Sequence, residues 1–201
     1  MDIVTENTYN ELNNIRVDFI YDKSVVGMLL CRGRGKAEVM HIPDRINGKA
    51  VKEIENGITE GISGMREIKV SDDNEYFRSC DGVLFDKKMT GLLWYPDKKR
   101  DAEYIVPKGV KYIGDEAFGN QYLNRIVISE GVESIYQYAF AGCRELREIV
   151  LPYSLRNVYL KAFANCKNLK RVYYRGTEQQ WQNIFIAEFN DALLNAELIL
   201  K

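Results

Sequence analysis

The stretch that decides the fold is residues 132–151, which read VESIYQYAFAGCRELREIVL. Its core, Val132-x-x-Ile135-x-x-x-Ala139-Phe140, recurs 23 residues later as Leu155-x-x-Val158-x-x-x-Ala162-Phe163. The second copy continues in step with the first, since Cys143, Leu146 and Ile149 correspond to Cys166, Leu169 and Val172. A fixed period of this length is typical of a stacked repeat architecture.

Further copies lie upstream of this pair. Val110-x-x-Ile113-x-x-x-Ala117-Phe118 precedes residue 132 by 22 residues, with a turn shortened by one residue after its Phe. A more divergent copy covers residues 42–70 and has Thr59 at the Phe position. The repeat therefore extends over most of the chain.

Each repeat combines two local patterns. The alternation at Ile149-x-Leu151 predicts a short strand with one buried face, and the spacing from Ala139 through Cys143 to Leu146 predicts a tight helical turn. A single coil of this kind cannot bury its apolar side alone, so the coils stack and their strands form a parallel sheet. We expect an α/β solenoid of about 22–23 residues per coil, with Phe118, Phe140 and Phe163 in an internal column.

These residues resemble the BspA-like (Treponema pallidum type) leucine-rich repeat. The resemblance covers residues 39–201 and includes two additional stretches. Residues 74–96 resemble the hairpin insert of such proteins, which we expect at about 83–95, and residues 173–196 resemble the segment that closes many of the arrays. The family is one of bacterial surface or host-associated adhesion proteins, so the resemblance implies protein binding.

The expected organisation is one continuous domain in three parts. Residues 1–38 form an N-terminal segment and hairpin cap, residues 39–175 the leucine-rich repeat solenoid, and residues 176–201 a C-terminal helical cap. The N-terminal hairpin joins 19–21 to 25–30, and residues 1–18 are expected to be frayed or a short helix. Thr177 with Gln180 forms a capping box, which opens a helix near Glu178.

Composition excludes several classes of protein. Lys and Arg total 28 against 29 Asp and Glu, so a net charge of −1 gives no global attraction to nucleic acid or to an anionic membrane. No apolar run is long enough to span a membrane, and no signal peptide is encoded. A natural start at Met1 would indicate a cytoplasmic protein, and removal of a signal would indicate a secreted or cell-surface one.

No residue set in the sequence carries catalysis, a cofactor or a metal ion. His41 is the only histidine and lacks a nucleophile motif, and four scattered cysteines do not form a zinc pattern. We interpret Cys143 and Cys166 as buried, unbridged packing residues. Three polar clusters are better interpreted as solvated loops than as phosphate or calcium sites: residues 32–36, 72–75 and 98–100.

The outer face of the sheet is the predicted binding surface. If Ile68, Tyr104, Ile126, Ile149, Val172 and Leu198 point inward, alternation directs their neighbours outward in two columns. The charged column is Glu103, Arg125, Glu148, Arg171 and Glu197; the apolar column is Ile105, Val127, Val150, Tyr173 and Ile199. Ordinary β-propensity explains the apolar column as well as a binding role does.

Two functions remain open from the sequence. The first is a non-enzymatic protein-interaction module, expected to be a monomer, with a protein partner contacted by Ile105, Val127, Val150, Tyr173, Arg125, Glu148 and Arg171. The second is a hydrolase-like enzyme with a cleft site, which would need His41 or a carboxylate pair.

Overall fold

The computed structural model describes residues 3–10, 15–22, 28–36, 38–46, 48–54, 61–119 and 122–201. The chain divides into two compact units, Met1–Lys88 and Met89–Lys201. The strands of the first unit are β1 (Ile3–Asn10), β2 (Ile15–Asp22), β3 (Met28–Lys36), β4 (Val39–Ile42), β5 (Arg45–Ile46), β6 (Lys49–Ile54), β7 (Gly61–Ser63), β8 (Glu67–Val70), β9 (Phe77–Cys80) and β10 (Val83–Asp86).

The strands of the second unit are β11 (Gly91–Trp94), β12 (Glu103–Ile105), β13 (Tyr112–Ile113), β14 (Arg125–Val127), β15 (Ser134–Ile135), β16 (Glu148–Leu151), β17 (Asn157–Val158), β18 (Arg171–Tyr174), β19 (Phe185–Ile186) and β20 (Glu197–Leu200). Two helices, α1 (Glu178–Gln182) and α2 (Asp191–Leu194), lie between β18 and β20.

The first unit mixes antiparallel and parallel pairing. The strands β1, β2 and β3 pair antiparallel in chain order, and β4 pairs parallel with β8, so that Met40 lies beside Ile68. The predicted hairpin before residue 38 is confirmed as β2 and β3, which pair antiparallel. Its connection at 23–27 lies outside the described residues. Thr59, predicted to replace the repeat Phe, also lies outside them. The expectation that residues 1–18 are frayed or a short helix is wrong, because this range contains β1 and the first half of β2.

The stretch that resembles the hairpin insert begins with a tight hairpin of β9 and β10. Strands β9 and β10 pair antiparallel, with Cys80 opposite Val83. Asp81 and Gly82 join them with φ of 50° and 72°, the left-handed values that a type I′ hairpin turn requires. The predicted span of about 83–95 contains two strands, β10 and β11, and β11 also pairs in parallel with β13 in the second unit. The predicted divisions at residues 38 and 175 stay predictions.

The second unit is a parallel β-solenoid, as the repeat predicts. One ladder runs β11–β13–β15–β17–β19 and the other runs β12–β14–β16–β18–β20. In the second ladder Ile126, Ile149 and Val172 lie side by side, and all three are fully buried. The apolar face of each strand therefore packs inside the coils, and the next residue on either side faces outward.

The turns within the coils are not helices, so the α/β description is not confirmed. Ala139, Ala141 and Cys143 donate to the carbonyl three residues earlier at 3.3, 2.8 and 3.1 Å, the pattern of successive tight turns. Tyr138 at φ 55° and Gly142 at φ 75° have left-handed backbone that a right-handed helix cannot continue through. In the described residues, helix is confined to α1 and α2.

The Phe column forms as the repeat predicts and is longer than expected. The rings of Phe118, Phe140 and Phe163 stack with centroids 4.8 and 5.0 Å apart. Tyr95 adds a fourth ring, 5.1 Å from Phe118 and tilted by 19°, and its hydroxyl donates to Asp101 at 2.6 Å. These four rings are almost completely inaccessible to solvent, so they are the centre of the core in this unit.

Backbone hydrogen bonds connect the same positions from coil to coil. The N–H of Tyr95 donates to Ala117, that of Phe118 to Ala139, and that of Phe140 to Ala162, at 2.7–2.8 Å. The thiols of Cys143 and Cys166 donate to the carbonyls of Phe118 and Phe140 at 3.2 and 3.0 Å. Each coil thus satisfies buried polar groups of the coil before it.

The last coil departs from this pattern. The predicted capping box is confirmed, because Thr177 accepts from the Gln180 N–H and the Gln180 side chain accepts from the Thr177 N–H. Trp181 packs edge-on against Tyr174, with ring centroids 5.4 Å apart. That residues 176–201 act as a helical cap stays a prediction, because α1 has five residues and none of them is buried.

Candidate binding surface on the sheet

The charged column forms a continuous set of ion pairs along the second ladder. Arg125 Nη1 contacts the Glu103 carboxylate, and Arg125 Nε lies 3.4 Å from Glu148. Arg171 Nη1 lies 2.7 Å from the other Glu148 oxygen, and its Nε is 3.8 Å from Glu197. Because the charges alternate in sign on successive strands, each arginine lies between two carboxylates.

Glu148 is the central residue of this column. One of its oxygens accepts a hydrogen bond from Arg171 and the other forms an ion pair with Arg125. Its side chain is 26% exposed, less than any other in the column. The Glu148 carboxylate is the main cause of the raised pKa of the Arg171 guanidinium. Such pairs on a solvated face contribute little stability, about 0–1 kcal/mol each, but they hold the charged groups in fixed positions.

The apolar column is present in the predicted register but is not an exposed stripe. Ile105 pairs with Val127, Val127 with Val150, Val150 with Tyr173, and Tyr173 with Ile199. Ile105 is 58% exposed, whereas Val127 and Val150 are only 7% and 3% exposed. The expectation of an uninterrupted exposed stripe is therefore wrong at its two central residues.

The position of each strand in the ladder explains these exposures. Val127 and Val150 have short side chains on inner strands, with neighbours about 4.8 Å away on both sides. The ion-paired side chains of the charged column lie two residues earlier on the same strands. Ile105 is on β12, the first strand of this ladder, and has such a neighbour on one side only.

The accessible apolar groups of this face lie at its two ends. Ile105 is at one end, and half-buried Tyr173 and Ile199 are at the other. The ammonium group of Lys201 lies 4.3 Å from the centroid of the Tyr173 ring, which is a cation–π contact. The face therefore has a charged centre with an apolar residue at one end and an aromatic–cation pair at the other.

A second set of side chains was not identified from the sequence. The aromatic ladder consists of Tyr112, Tyr136, Tyr159 and Phe185, with successive centroids 5.4, 5.2 and 6.4 Å apart. The three tyrosines are half-buried and Phe185 is exposed. The sequence contains a signal for this ladder, because Tyr136 follows the inward Ile135 and Tyr159 follows the inward Val158 in the next repeat.

Two other candidates from the sequence are His41 and the acidic cluster at residues 72–75. His41 is exposed on β4 beside Lys69. Asn74, in the acidic cluster 72–75, is buried and accepts from the Tyr76 and Phe77 N–H groups while donating to Pro43. Among the described residues, no group of three or more His, Cys, Asp and Glu side chains could hold a metal ion.

The cysteines have the environments that their repeat positions predict. Cys143 and Cys166 are buried and unbridged, and Cys80 is free and exposed; the side chain of Cys31 lies outside the described residues. Burial raises the pKa of the Cys166 thiol to about 12, although the backbone hydrogen bond from Cys143 lowers it in part. A thiol with so high a pKa is a poor nucleophile at neutral pH.

The repeat region matches one known family. Residues 100–193 match the BspA type leucine rich repeat region, in six copies. This array is a BspA-type leucine-rich repeat. The match contains every strand of the second ladder except β20, so the charged column lies almost entirely on BspA-type repeats.

The chain is also similar to solved structures. A leucine-rich repeat protein from Eubacterium ventriosum is 28% identical with a TM-score of 0.62, and the match covers 70% of this chain and 37% of that one. The pneumococcal vaccine antigen PcpA is 20% identical with a TM-score of 0.54, covering 90% of this chain and 61% of that one. The chain thus spans less than two thirds of either relative, and the second shows the fold alone. No curated protein matches the chain.

No helix in the described part of the chain is long and apolar enough to cross a bilayer.

Proposed function

We propose that this protein is a non-enzymatic protein-interaction module that binds a protein partner through the outer face of the second ladder. The observation that carries the proposal is the charged column, in which five side chains on five adjacent strands are ordered by mutual ion pairs. Side chains that are already ordered lose little conformational entropy on binding, so they are suited to recognition.

The contact chemistry of this face differs from the sequence prediction. Because Val127 and Val150 are buried, the proposed contacts are made by the charged column, Ile105 and Tyr173. Charges of both signs select partners with a complementary pattern and affect association rates more than affinity. Tyr173 adds a large contact area together with a polar hydroxyl.

The biological setting that we propose is bacterial adhesion or host-associated binding. Its support is the BspA-type repeat, whose family resemblance implies surface adhesion proteins. No observation on the described residues favours the hydrolase-like alternative.

The test compares capture by three forms of the protein. Wild type, a face variant with Ile105→Ser, Arg125→Glu and Tyr173→Ala, and a control variant with Tyr153→Ala are immobilised and exposed to host-cell and bacterial-surface extracts. Tyr153 is 51% exposed and belongs to neither column, which makes it a matched aromatic control.

We expect quantitative mass spectrometry to identify proteins that wild type and the control capture equally and the face variant loses. The affinity of one such purified protein should fall at least about tenfold in the face variant by calorimetry. Equal capture by all three forms, with circular dichroism showing that all are folded, would exclude this face as the binding surface.

A further inference from the structure

Strand β20 has one edge paired and one edge open. The N–H of Glu197 donates to Lys170 at 2.8 Å and that of Lys201 to Tyr174 at 2.9 Å, so alternate residues of β20 face β18. The N–H and C=O groups of Leu198 and Leu200 therefore point to the opposite edge. No strand of the described residues pairs with that edge.

The inward side chains of β20 are also incompletely covered. Val172 and Tyr174 on β18 are fully buried. Their neighbours on β20 are not, since Leu198 is half-buried and Leu200 is 42% exposed. Leu194, just before the strand, is 55% exposed. The last coil thus presents apolar side chains beside an open row of backbone donors and acceptors, a combination that proteins usually avoid at sheet edges.

The sequence of β20 with the residue after it is self-complementary. It reads Glu197-Leu198-Ile199-Leu200-Lys201, and Glu197, Ile199 and Lys201 share the outer face. When a copy is placed antiparallel with Ile199 opposite itself, each Glu197 lies opposite a Lys201 and each Leu198 opposite a Leu200. Both charged pairs are then attractive, as cross-strand pairing favours.

We propose that β20 is a dimerisation strand, which pairs antiparallel with β20 of a second copy about a two-fold axis at Ile199. In this register Leu198 and Leu200 are hydrogen-bonded pairs, and the groups that they use are those that point away from β18. The interface is isologous, since the same patch serves both copies. It joins two second-ladder sheets into one and replaces the monomer expected from the sequence.

A second copy fits this edge better than an unrelated peptide does. Backbone pairing alone accepts any extended segment, but this edge also has a carboxylate at one end and an ammonium at the other. The same strand of a second copy, placed antiparallel, presents these charges in the reverse order, with Lys201 opposite Glu197. Leu194, Leu198 and Leu200 of both copies then cover one another along the joined edge.

The first test is a charge exchange measured by sedimentation equilibrium. Glu197→Lys and Lys201→Glu each place like charges opposite one another twice in the dimer, so each should weaken dimerisation at least about tenfold. The double variant restores opposite charges in both pairs and should dimerise within about threefold of wild type. A wild type that stays monomeric up to about 1 mM, or a double variant as weak as the single ones, would overturn the proposal.

The second test reports the register directly. The two Ile199 residues form a non-hydrogen-bonded pair with Cα atoms about 4.5 Å apart, within the range that a disulfide bridges. Ile199→Cys, in a background with Cys31→Ser and Cys80→Ser, should give a covalent dimer on mild oxidation. Ile105→Cys in the same background is the control, since Ile105 is more exposed but lies on β12.

The two results separate this proposal from other occupants of the edge. A covalent dimer from Ile199→Cys, with Ile105→Cys remaining monomeric, supports pairing through β20. Equal cross-linking of both variants would show random collision and overturn it. A wild type that binds the peptide ELILK but does not self-associate would show that the edge accepts strands without forming a dimer, which also overturns it.

Discussion

The backbone N–H of Phe163 donates to the side-chain oxygen of Asn190 at 3.0 Å, where Phe118 and Phe140 donate to a backbone carbonyl of the next coil. Val158 pairs with Ile186, and Ala162 and Asn190 each come four residues later. Asn190 thus occupies the position of the repeat alanine. Its amide group also donates to Tyr159 and Ala187 at 2.9 Å.

Asn190→Ala is expected to destabilise the protein by about 1–3 kcal/mol, because it leaves the buried N–H of Phe163 without an acceptor. Denaturant unfolding followed by circular dichroism measures the change. Asn168→Ala is the control, since Asn168 is exposed and its amide makes one hydrogen bond, to Arg144. Equal losses in the two variants would contradict a special role for Asn190.

Phe140→Ala is expected to lower the free energy of unfolding by about 3–5 kcal/mol, because the ring is fully buried between Phe118 and Phe163 and its loss leaves a cavity. Tyr153→Ala, which removes a ring that is 51% exposed, should cost far less. Chemical denaturation provides both values. A Phe140→Ala midpoint equal to that of wild type would mean that the column does not support the coils.

Gly142→Ala is expected to cost about 1–2 kcal/mol, because Gly142 has φ 75° and a β-carbon is strained there even though it meets no atom within 4 Å. Gly142→Asn should cost less, since Asn165 has φ 60° at the same position of the next coil. Gly119→Ala also meets no atom within 4 Å, and Gly119 does not have positive φ. Thermal melting of the three variants should rank Gly142→Ala lowest.

Protein stability is expected to fall as pH rises from 9 to about 12, in part through Cys166. Its thiol has a pKa of about 12 in the folded protein against an ordinary value of 9.0, so over this interval the unfolded chain releases a proton that the folded chain retains. Cys166→Ser should reduce this loss, because serine does not titrate there and still donates a hydrogen bond. Denaturation midpoints at several pH values measure the slope.

The control for that measurement is Cys80→Ser, which changes an exposed cysteine and should leave the slope unchanged. A slope that Cys166→Ser does not alter would show that Cys166 makes no contribution to alkaline unfolding.

The repeat was sufficient to predict which residues are stacked, but not the local geometry of the turns. Periodicity placed Phe118, Phe140 and Phe163 in one column because equivalent positions of stacked coils must coincide. A three-to-four spacing, however, is shared by a helical turn and by successive tight turns. The left-handed backbone at Tyr138, which excludes a helix, has no signature in the amino acid itself.

Two further features, one on the sheet face and one in the core, also depended on information beyond periodicity. Alternation predicts that Val127 and Val150 face outward, but their exposure depends on how closely neighbouring strands and longer side chains surround them. The resemblance of residues 74–96 to a hairpin insert predicts that Tyr95 belongs to the insert. Only its hydrogen bond to Ala117 and its stacking on Phe118 identify it as part of the column.

The hydrogen bonds between coils have a consequence for how arrays of this kind change in length. Each Ala-Phe coil offers the next one the same N–H and receives the preceding N–H at the same carbonyl, so coils such as 132–154 and 155–175 have equivalent upper and lower surfaces. Duplication or deletion of one whole coil would join matching surfaces and leave Asn190 to accept the last N–H. The number of coils can therefore change by gene duplication while the residues at both ends of the array, such as Asn190, stay the same.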